Sequence, residues 1–463
     1  RDTGTVVIGG LERRDILDQI DPEQQAVARS QQTAQGTQKG TPLGGQFQVN
    51  LFTTSEQAVP EVASDGSGNF VVVWDSYGSS AGDSSSFSIQ ARRYEADGSP
   101  LGGQFQVNFH TTLAQEHPSV ASDSDGNFVV VWDSNSSTGT DTDGRSVHGQ
   151  RFGANGTTLG PQFQVNLVTS GAQLSAAVAR HSEGSFVVAW ESATSFGTDT
   201  TGYSIQAQRY SAGGTPLGSQ FQVNSFTTGD QHSPDVAIDG LGNFVFAWTS
   251  QGSGGDDTSE DSIQARRFTP DATPLGEDFQ VNSYTSGVQG QAAASSDAQG
   301  KFVVVWTSTG SGGTDTSEFS VQAQRFAADG SPLGEEFQVN SYTPNKQLMP
   351  GIASDAAGNI VIVWASESSA GGDTNLQSIQ ARRYAANGTA LGDQFQVNTY
   401  TTQRQWTPAV ASDPRGNWVV AWDSTGSGGT DTAGSSIQAQ RYDGLFRDDF
   451  ETGGTLRWSA SAP

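Results

Sequence analysis

The chain contains no cysteine, three lysines and one methionine in 463 residues. Without cysteine there are no disulfides, no thiolate zinc sites and no cysteine nucleophile. Lys39, Lys301 and Lys346 are few beside 49 acidic residues, and the formal net charge is −26. Such a surface repels phosphate backbones and anionic lipid, so neither nucleic acid nor the membrane is an expected partner. Long hydrophobic runs are also missing, and no stretch approaches the roughly 20 apolar residues that span a bilayer as a helix. The first residues lack the apolar segment of a secretory signal, so any such signal is expected to have been removed or never to have been there. HExxH, GxSxG and phosphate-cradling glycine loops are absent as well.

What the chain has instead is a period. FQVN begins at Phe47, Phe105, Phe163, Phe221, Phe279, Phe337 and Phe395, each 58 residues after the last. Trp74, Trp132, Trp190, Trp248, Trp306, Trp364 and Trp422 keep the same step. One unit reads as four short strands: PEVAS, NFVVVW, SIQARRY and QFQVN, with Gly, Pro, Asp and Asn between them. The continuous apolar run Phe70 to Trp74 is a strand buried on both faces. Four strands repeated radially make a propeller blade. A β-helix is the weaker reading, because its coils are shorter and would not use hairpin turns. The predicted fold is therefore all-β, a seven-bladed propeller. The first FQVN has no strands before it and the last repeat lacks a fourth strand. Phe47, Gln48, Val49 and Asn50 are thus expected to complete the last blade and close the ring. The domain division that follows is an extension at 1–40, the propeller at 41–442 and a tail at 443–463.

Several columns recur in every unit. Asp83, Asp141, Asp199, Asp257, Asp315, Asp373 and Asp431 lie nine residues after each tryptophan, in Gly/Ser/Thr loops. Their carboxylates suit Asx-turns within the loop, with weak cation or sugar-hydroxyl contacts as the functional alternative. Asp141-Thr142-Asp143-Gly144 and Asp256-Asp257 faintly resemble calcium loops but lack the full spacing, so no metal or cofactor is expected and calcium stays a weak possibility. Gln57 and its six equivalents are expected to bridge blades. Arg93 and its equivalents need a carboxylate or carbonyl partner between blades. Gly68 and its equivalents answer a turn requiring positive φ.

Catalysis in a ring requires departures from the repeat, since one substrate meets one set of groups. These departures are His110, His117, His148, His181, His232, Met349, Arg404 and Trp406. None stands at a recognisable spacing from a carboxylate or nucleophile, and the chain is expected not to be an enzyme.

Outside the repeats, Thr5-Val6-Val7-Ile8 forms a short strand before a glycine pair, followed by a weakly amphipathic stretch. Exposed outer strands of blades accept added strands. A donor strand at Thr5, Val6, Val7 and Ile8 docking on a neighbour would build a head-to-tail filament, whereas docking on its own ring would not. The tail Leu445-Phe446-Arg447-Asp448-Asp449-Phe450-Glu451-Thr452-Gly453-Gly454, then Trp458-Ser459, resembles the F-x-D-G-F-E-S-G…W-S ending of secreted proteobacterial proteins. Asp449 replaces its glycine and Thr452 its serine. The repeats resemble those of bacterial secreted and cell-surface propellers, which implies fold and an extracellular or surface location but no activity. The resulting expectation is an extracellular structural protein that polymerises with copies of itself. The alternative is a lectin-like or adhesive module for carbohydrate or cell-surface ligands, and a glycan-processing enzyme comes last.

Overall fold

The computed structural model describes residues 40–444 except the loop stretches 79–82, 84–85, 136–138, 253–254, 258–259, 312, 370–371, 374–375, 427–428 and 432–433. The described residues form seven four-stranded antiparallel sheets and no helix. Blade one consists of Gln57–Ser64, Phe70–Tyr77, Phe87–Tyr94 and Phe105–Gln106, from the axis outwards. The inner strands of successive blades pack on one another around the axis, while each outer strand meets the third strand of its own sheet.

Why the second strand is apolar throughout is evident from its neighbours. Val72 and Trp74 pack against the blade before, Val71 and Val73 against the blade after. All seven repeated tryptophans are fully buried. Residues at the outer end of each interface stack as ring pairs, such as Phe128 on Phe152 with centroids 4.9 Å apart.

The seventh sheet is completed by the start of the described chain. Phe47 and Gln48 pair antiparallel with Ala439 and Gln438. Asn50 accepts the amide of Ile437 at 2.9 Å and donates to Asp431 at 2.7 Å.

One feature of every inner strand has no counterpart in a plain alternating pattern. Register slips between Ala58 and Glu61, and at the same place in each of the other six blades. The residue inside each bulge lies at positive φ although none is glycine: Val59, His117, Ser175, Ser233, Gln291, Met349 and Thr407. A left-handed non-glycine residue costs on the order of 1 kcal/mol, so a repeated one needs compensation. Bulges of this kind re-aim side chains and backbone amides.

Candidate active site at the mouth of the axial channel

The bulges sit at the end of the channel from which the inner strands start. Opposite them, the residue following each tryptophan in the second strand is Asp75, Asp133, Glu191, Thr249, Thr307, Ala365 and Asp423 in blade order, all buried. The bulge amide of one blade reaches this residue in the preceding blade. His117 N–H donates to Asp75 Oδ2 at 3.2 Å, Ser175 N–H to Asp133 Oδ2 at 3.2 Å, and Ser233 N–H to Glu191 Oε2 at 2.8 Å. In blade six the Met349 amide uses Gln291 Oε1 instead, at 3.1 Å. These bonds compensate the strained backbone and lock adjacent blades.

The carboxylates also carry charge where the repeat is uneven. The imidazole Nδ1 of His117 lies 3.1 Å from Asp133 Oδ2, with the histidine side chain 53% exposed and the aspartate 1%. Nε2 of His117 is therefore the nitrogen that does not hold this carboxylate. Arg145 bonds Glu116 at 2.7 Å and stands 3.9 Å from Asp133. On blade seven, Arg404 lies over the ring of Trp406 at 4.5 Å, and Thr407 donates to Asp423. Blades four, five and six contribute only neutral groups to the same two positions: Ser233, Thr249, Gln291, Thr307, Met349 and Ala365. At these two positions the mouth thus has a charged arc running from blade seven through blade three and a neutral arc.

Burial and proximity shift the protonation of this arc. The hydrogen bond to Asp133 raises the pKa of His117, against a smaller opposing effect of burial. Burial raises Asp75 well above the ordinary carboxylate range, and the neighbouring His117 works the other way. Burial likewise raises Glu191, and holds Asp423 at about 6. Asp75 Oδ1 and Asp133 Oδ1 are buried with no hydrogen-bond partner. A cluster of perturbed groups of this kind is a candidate functional site.

Deeper in the channel, Glu61 is raised to about 8, by burial first and by the Asp235 carboxylate second. A carboxyl whose folded value exceeds its ordinary 4.5 favours folding while protonated, and that contribution is lost as pH rises from 4.5 through about 8. Glu61→Gln is accordingly expected to melt with the parent near pH 4 and above it near pH 8. Equal melting temperatures at both pH values would count against a desolvated Glu61.

At the other end of the axis, turn residues enclose a cavity of about 340 Å³. Its carboxylates are spent on their own turns. Asp65 Oδ1 accepts the amides of Ser67 and Asn69 at 2.8 and 2.9 Å, and the pattern returns in Asp123, Asp239, Asp355 and Asp413. His181 takes this place in blade three, and the preceding Arg180 bonds Asp123 at 2.8 Å. That end of the ring is built for cohesion.

The repeated loop carboxylates are tied to the FQVN asparagines. Asp141, Asp199, Asp257, Asp315, Asp373 and Asp431 accept from Asn166, Asn224, Asn282, Asn340, Asn398 and Asn50 at 2.6–2.9 Å, and Asp83 from Asn108 at 3.3 Å. Asn282→Ala would leave Asp257 short of a buried donor, and a loss of about 1–3 kcal/mol in denaturant unfolding is expected; no loss would show that the pair is idle. Among the described residues, no three His, Asp or Glu side chains are grouped so as to hold a metal ion. The glutamine column behaves differently from the bridging role read from the sequence. Gln57, Gln115, Gln231, Gln347 and Gln405 accept the indole N–H of their own blade's tryptophan. Only Gln173 and Gln289 accept from the preceding blade, through Asn166 and Asn282. Arg93 and Arg151 do cross between blades, to the carbonyls of Ala154 and Ala212. His148 is a core residue, bonded to Ser146 and Gln162 and lowered to about 4 by burial. The proposed donor strand Thr5–Ile8 and the tail from Leu445 lie outside the described residues.

Sequence reasoning singled out His117, Arg404 and Trp406 but overlooked Asp75, Asp133, Arg145 and Glu191. The signal was the column after each tryptophan, which is acidic in some blades and neutral in others.

No family model matches the chain, and no curated protein matches it. Solved structures do. A polysaccharide lyase, an ulvan lyase bound to -[GlcA(1-4)Rha3S]-, aligns with a TM-score of 0.51 at 10% identity over 86% of this chain and 96% of the other. Another structure of an ulvan lyase gives 0.51 at 11% identity with the same coverage. An α-L-arabinofuranosidase of Fusarium graminearum with arabinobiose gives 0.45 at 10% identity over 86% and 98%. The shared property is the ring itself. Two expectations are corrected here: that the chain is not an enzyme, and that it is a structural subunit of filaments. Two of the solved rings it resembles are polysaccharide lyases. Of the departures from the repeat, His117, Arg404 and Trp406 come to the charged arc, while His148 lies in the core, His181 at the other end of the axis and Met349 in the neutral arc.

Proposed function

We propose that this chain is a carbohydrate-active enzyme that cleaves glycosidic bonds of a polysaccharide across the charged arc of the channel mouth, outside the cell. The observation that carries this reading is the His117–Asp133 pair. A buried carboxylate fixes the imidazole through Nδ1, raises its pKa and leaves Nε2 exposed for proton transfer. Both lyases and hydrolases need a proton delivered or removed at the glycosidic linkage, and one oriented imidazole can serve either. The likeness to polysaccharide lyases supports the substrate class, since those enzymes share this ring architecture. The test is incubation of the protein with a panel of purified polysaccharides. Release of new chain ends is followed by reducing-sugar assay, and elimination products by their ultraviolet absorbance. Depolymerisation of at least one substrate is expected, and a complete lack of activity across neutral, uronate and sulfated polymers would refute the reading.

A further inference from the structure

The charge pattern of the mouth bears on which polysaccharide it takes, on the premise that the mouth is a glycan-processing site. An enzyme acting on a polyuronate needs cationic donors free to meet each carboxylate. Among the described residues, five cations of the mouth stand with an acidic or aromatic partner. Arg145 is bonded to Glu116, and Lys346 to Glu318 at 3.5 Å. His117 is bonded to Asp133, and His232 lies within the field of Glu191. Arg404 lies on Trp406 and within the field of Asp423. Beneath them are Asp133, Glu191 and Asp423, and the whole chain carries −26. The field at the mouth therefore repels a polyanion and raises the cost of placing a uronate there.

The same arc offers apolar surface of the right kind for uncharged sugars. The exposed aromatic rings among the described residues are Tyr77, Phe109 and Phe196, at 51%, 86% and 50% exposure. Each belongs to a loop or strand end on the face of the channel mouth, in blades one to three. Trp406, partly exposed on blade seven, continues the series beside blade one. Flat, amphipathic rings are how a site grips the apolar faces of a pyranose while its hydroxyls bond nearby carboxylates. Blades four to six have no exposed aromatic ring among their described residues. The most exposed aromatic rings and the charged groups thus share one side of the ring, whereas Phe226, Tyr284 and Tyr342 elsewhere on that face are, like Trp406, only partly exposed.

We infer that the substrate is a neutral glycan, seated on the arc from Trp406 towards Phe196, and that its cleavage is hydrolytic. A neutral sugar has no carboxylate to acidify its C5 proton, so elimination is closed to it and water must enter. In that reaction the water oxygen bonds to the anomeric carbon as the bond from that carbon to the leaving oxygen breaks. The leaving oxygen takes a proton from His117 Nε2, and the water gives its proton to a carboxylate of the mouth, of which Glu116 adjoins His117 in the chain.

The experiment pairs neutral polymers (a glucan and a galactan) with polyuronates (polygalacturonate and alginate), using the full chain. Reducing ends and unsaturated products are both recorded, and binding to each polymer is measured by affinity electrophoresis with wild type, Trp406→Ala and Phe109→Ala. Expected are reducing ends from a neutral polymer with no unsaturated product, and binding of that polymer weakened about 10-fold in Trp406→Ala, with circular dichroism showing an intact ring. Unsaturated products from a polyuronate would overturn this inference and leave the enzymatic reading standing. Neutral-polymer binding unaffected by both aromatic substitutions would overturn the seating on the arc. No binding and no cleavage of either class would overturn the inference together with the reading it rests on.

Discussion

His117→Ala is expected to lower turnover of the cleaved polysaccharide by about 10²- to 10⁴-fold, the usual contribution of a positioned proton-transfer group, while the protein stays folded. The side chain is largely exposed, so its loss opens no core cavity; its backbone amide, which does hold blade two to Asp75, is retained in alanine. Asp133→Asn is the finer test. Asparagine keeps an oxygen for the Ser175 amide, so the bulge of blade three remains held. It removes the charge that raises His117, so the histidine pKa falls. The limb of the pH–rate profile that reports His117 should shift to lower pH in Asp133→Asn and vanish in His117→Ala. The stability linked to the pair has a definite sign. A histidine raised by its partner contributes fully below its ordinary value of 6.5, and that contribution fades as pH climbs through the raised value. For a half-exposed pair this effect is small beside the effect on rate. Turnover in His117→Ala equal to wild type would remove His117 from the chemistry.

The fold was legible because its determinants are local and repeated. FQVN and the tryptophan mark the outer strand and the blade core seven times, and the split repeat at 41–50 announces how the ring closes. The site was not legible for the opposite reason. Asp75, His117, Asp133, Arg145 and Glu191 are drawn from three blades, and no two of those that touch form a motif in the chain. Their meeting depends on the bulge at His117, whose left-handed backbone no residue type in that column announces: the seven occupants are Val, His, Ser, Ser, Gln, Met and Thr. A bulge that turns one blade's amide towards the preceding blade's carboxylate is a property of the ring, visible only when neighbouring units are placed side by side. Compared column by column, the seven units do show the asymmetry, since Asp, Asp, Glu, Thr, Thr, Ala and Asp follow the tryptophans.

A chain starting at Leu51 is expected to lose most of its stability, and a circular permutant to regain it. Val49 is fully buried in the interface between blades seven and one, and its carbonyl accepts from Arg92 of blade one at 2.8 Å. Asn50 makes two side-chain bonds in blade seven, and without it Asp431 loses its asparagine donor. A buried valine contributes about 1.5–3 kcal/mol and each buried bond about 1 kcal/mol, with more lost when a partner is stranded. Together these reach about 5 kcal/mol, comparable with the whole net stability of many proteins. The rescue follows from the geometry of the turn. Asp443 N–H bonds the Thr41 carbonyl at 3.0 Å, as Glu95 N–H bonds Ser99 at 2.8 Å within blade one, and Gly40 takes the positive φ that Gly98 takes there. The two chain ends thus assemble one turn of the ordinary kind, with the pair Ala96-Asp97 of blade one as the piece that would join them. A chain beginning at Leu51, running to Asp443 and continuing through Ala-Asp into residues 40–50 should melt with the parent ring in thermal and urea unfolding. If the truncated chain is as stable as the parent, the closing strand is dispensable; if the permutant is as weak as the truncation, residues 40–50 act through something other than completing the seventh sheet.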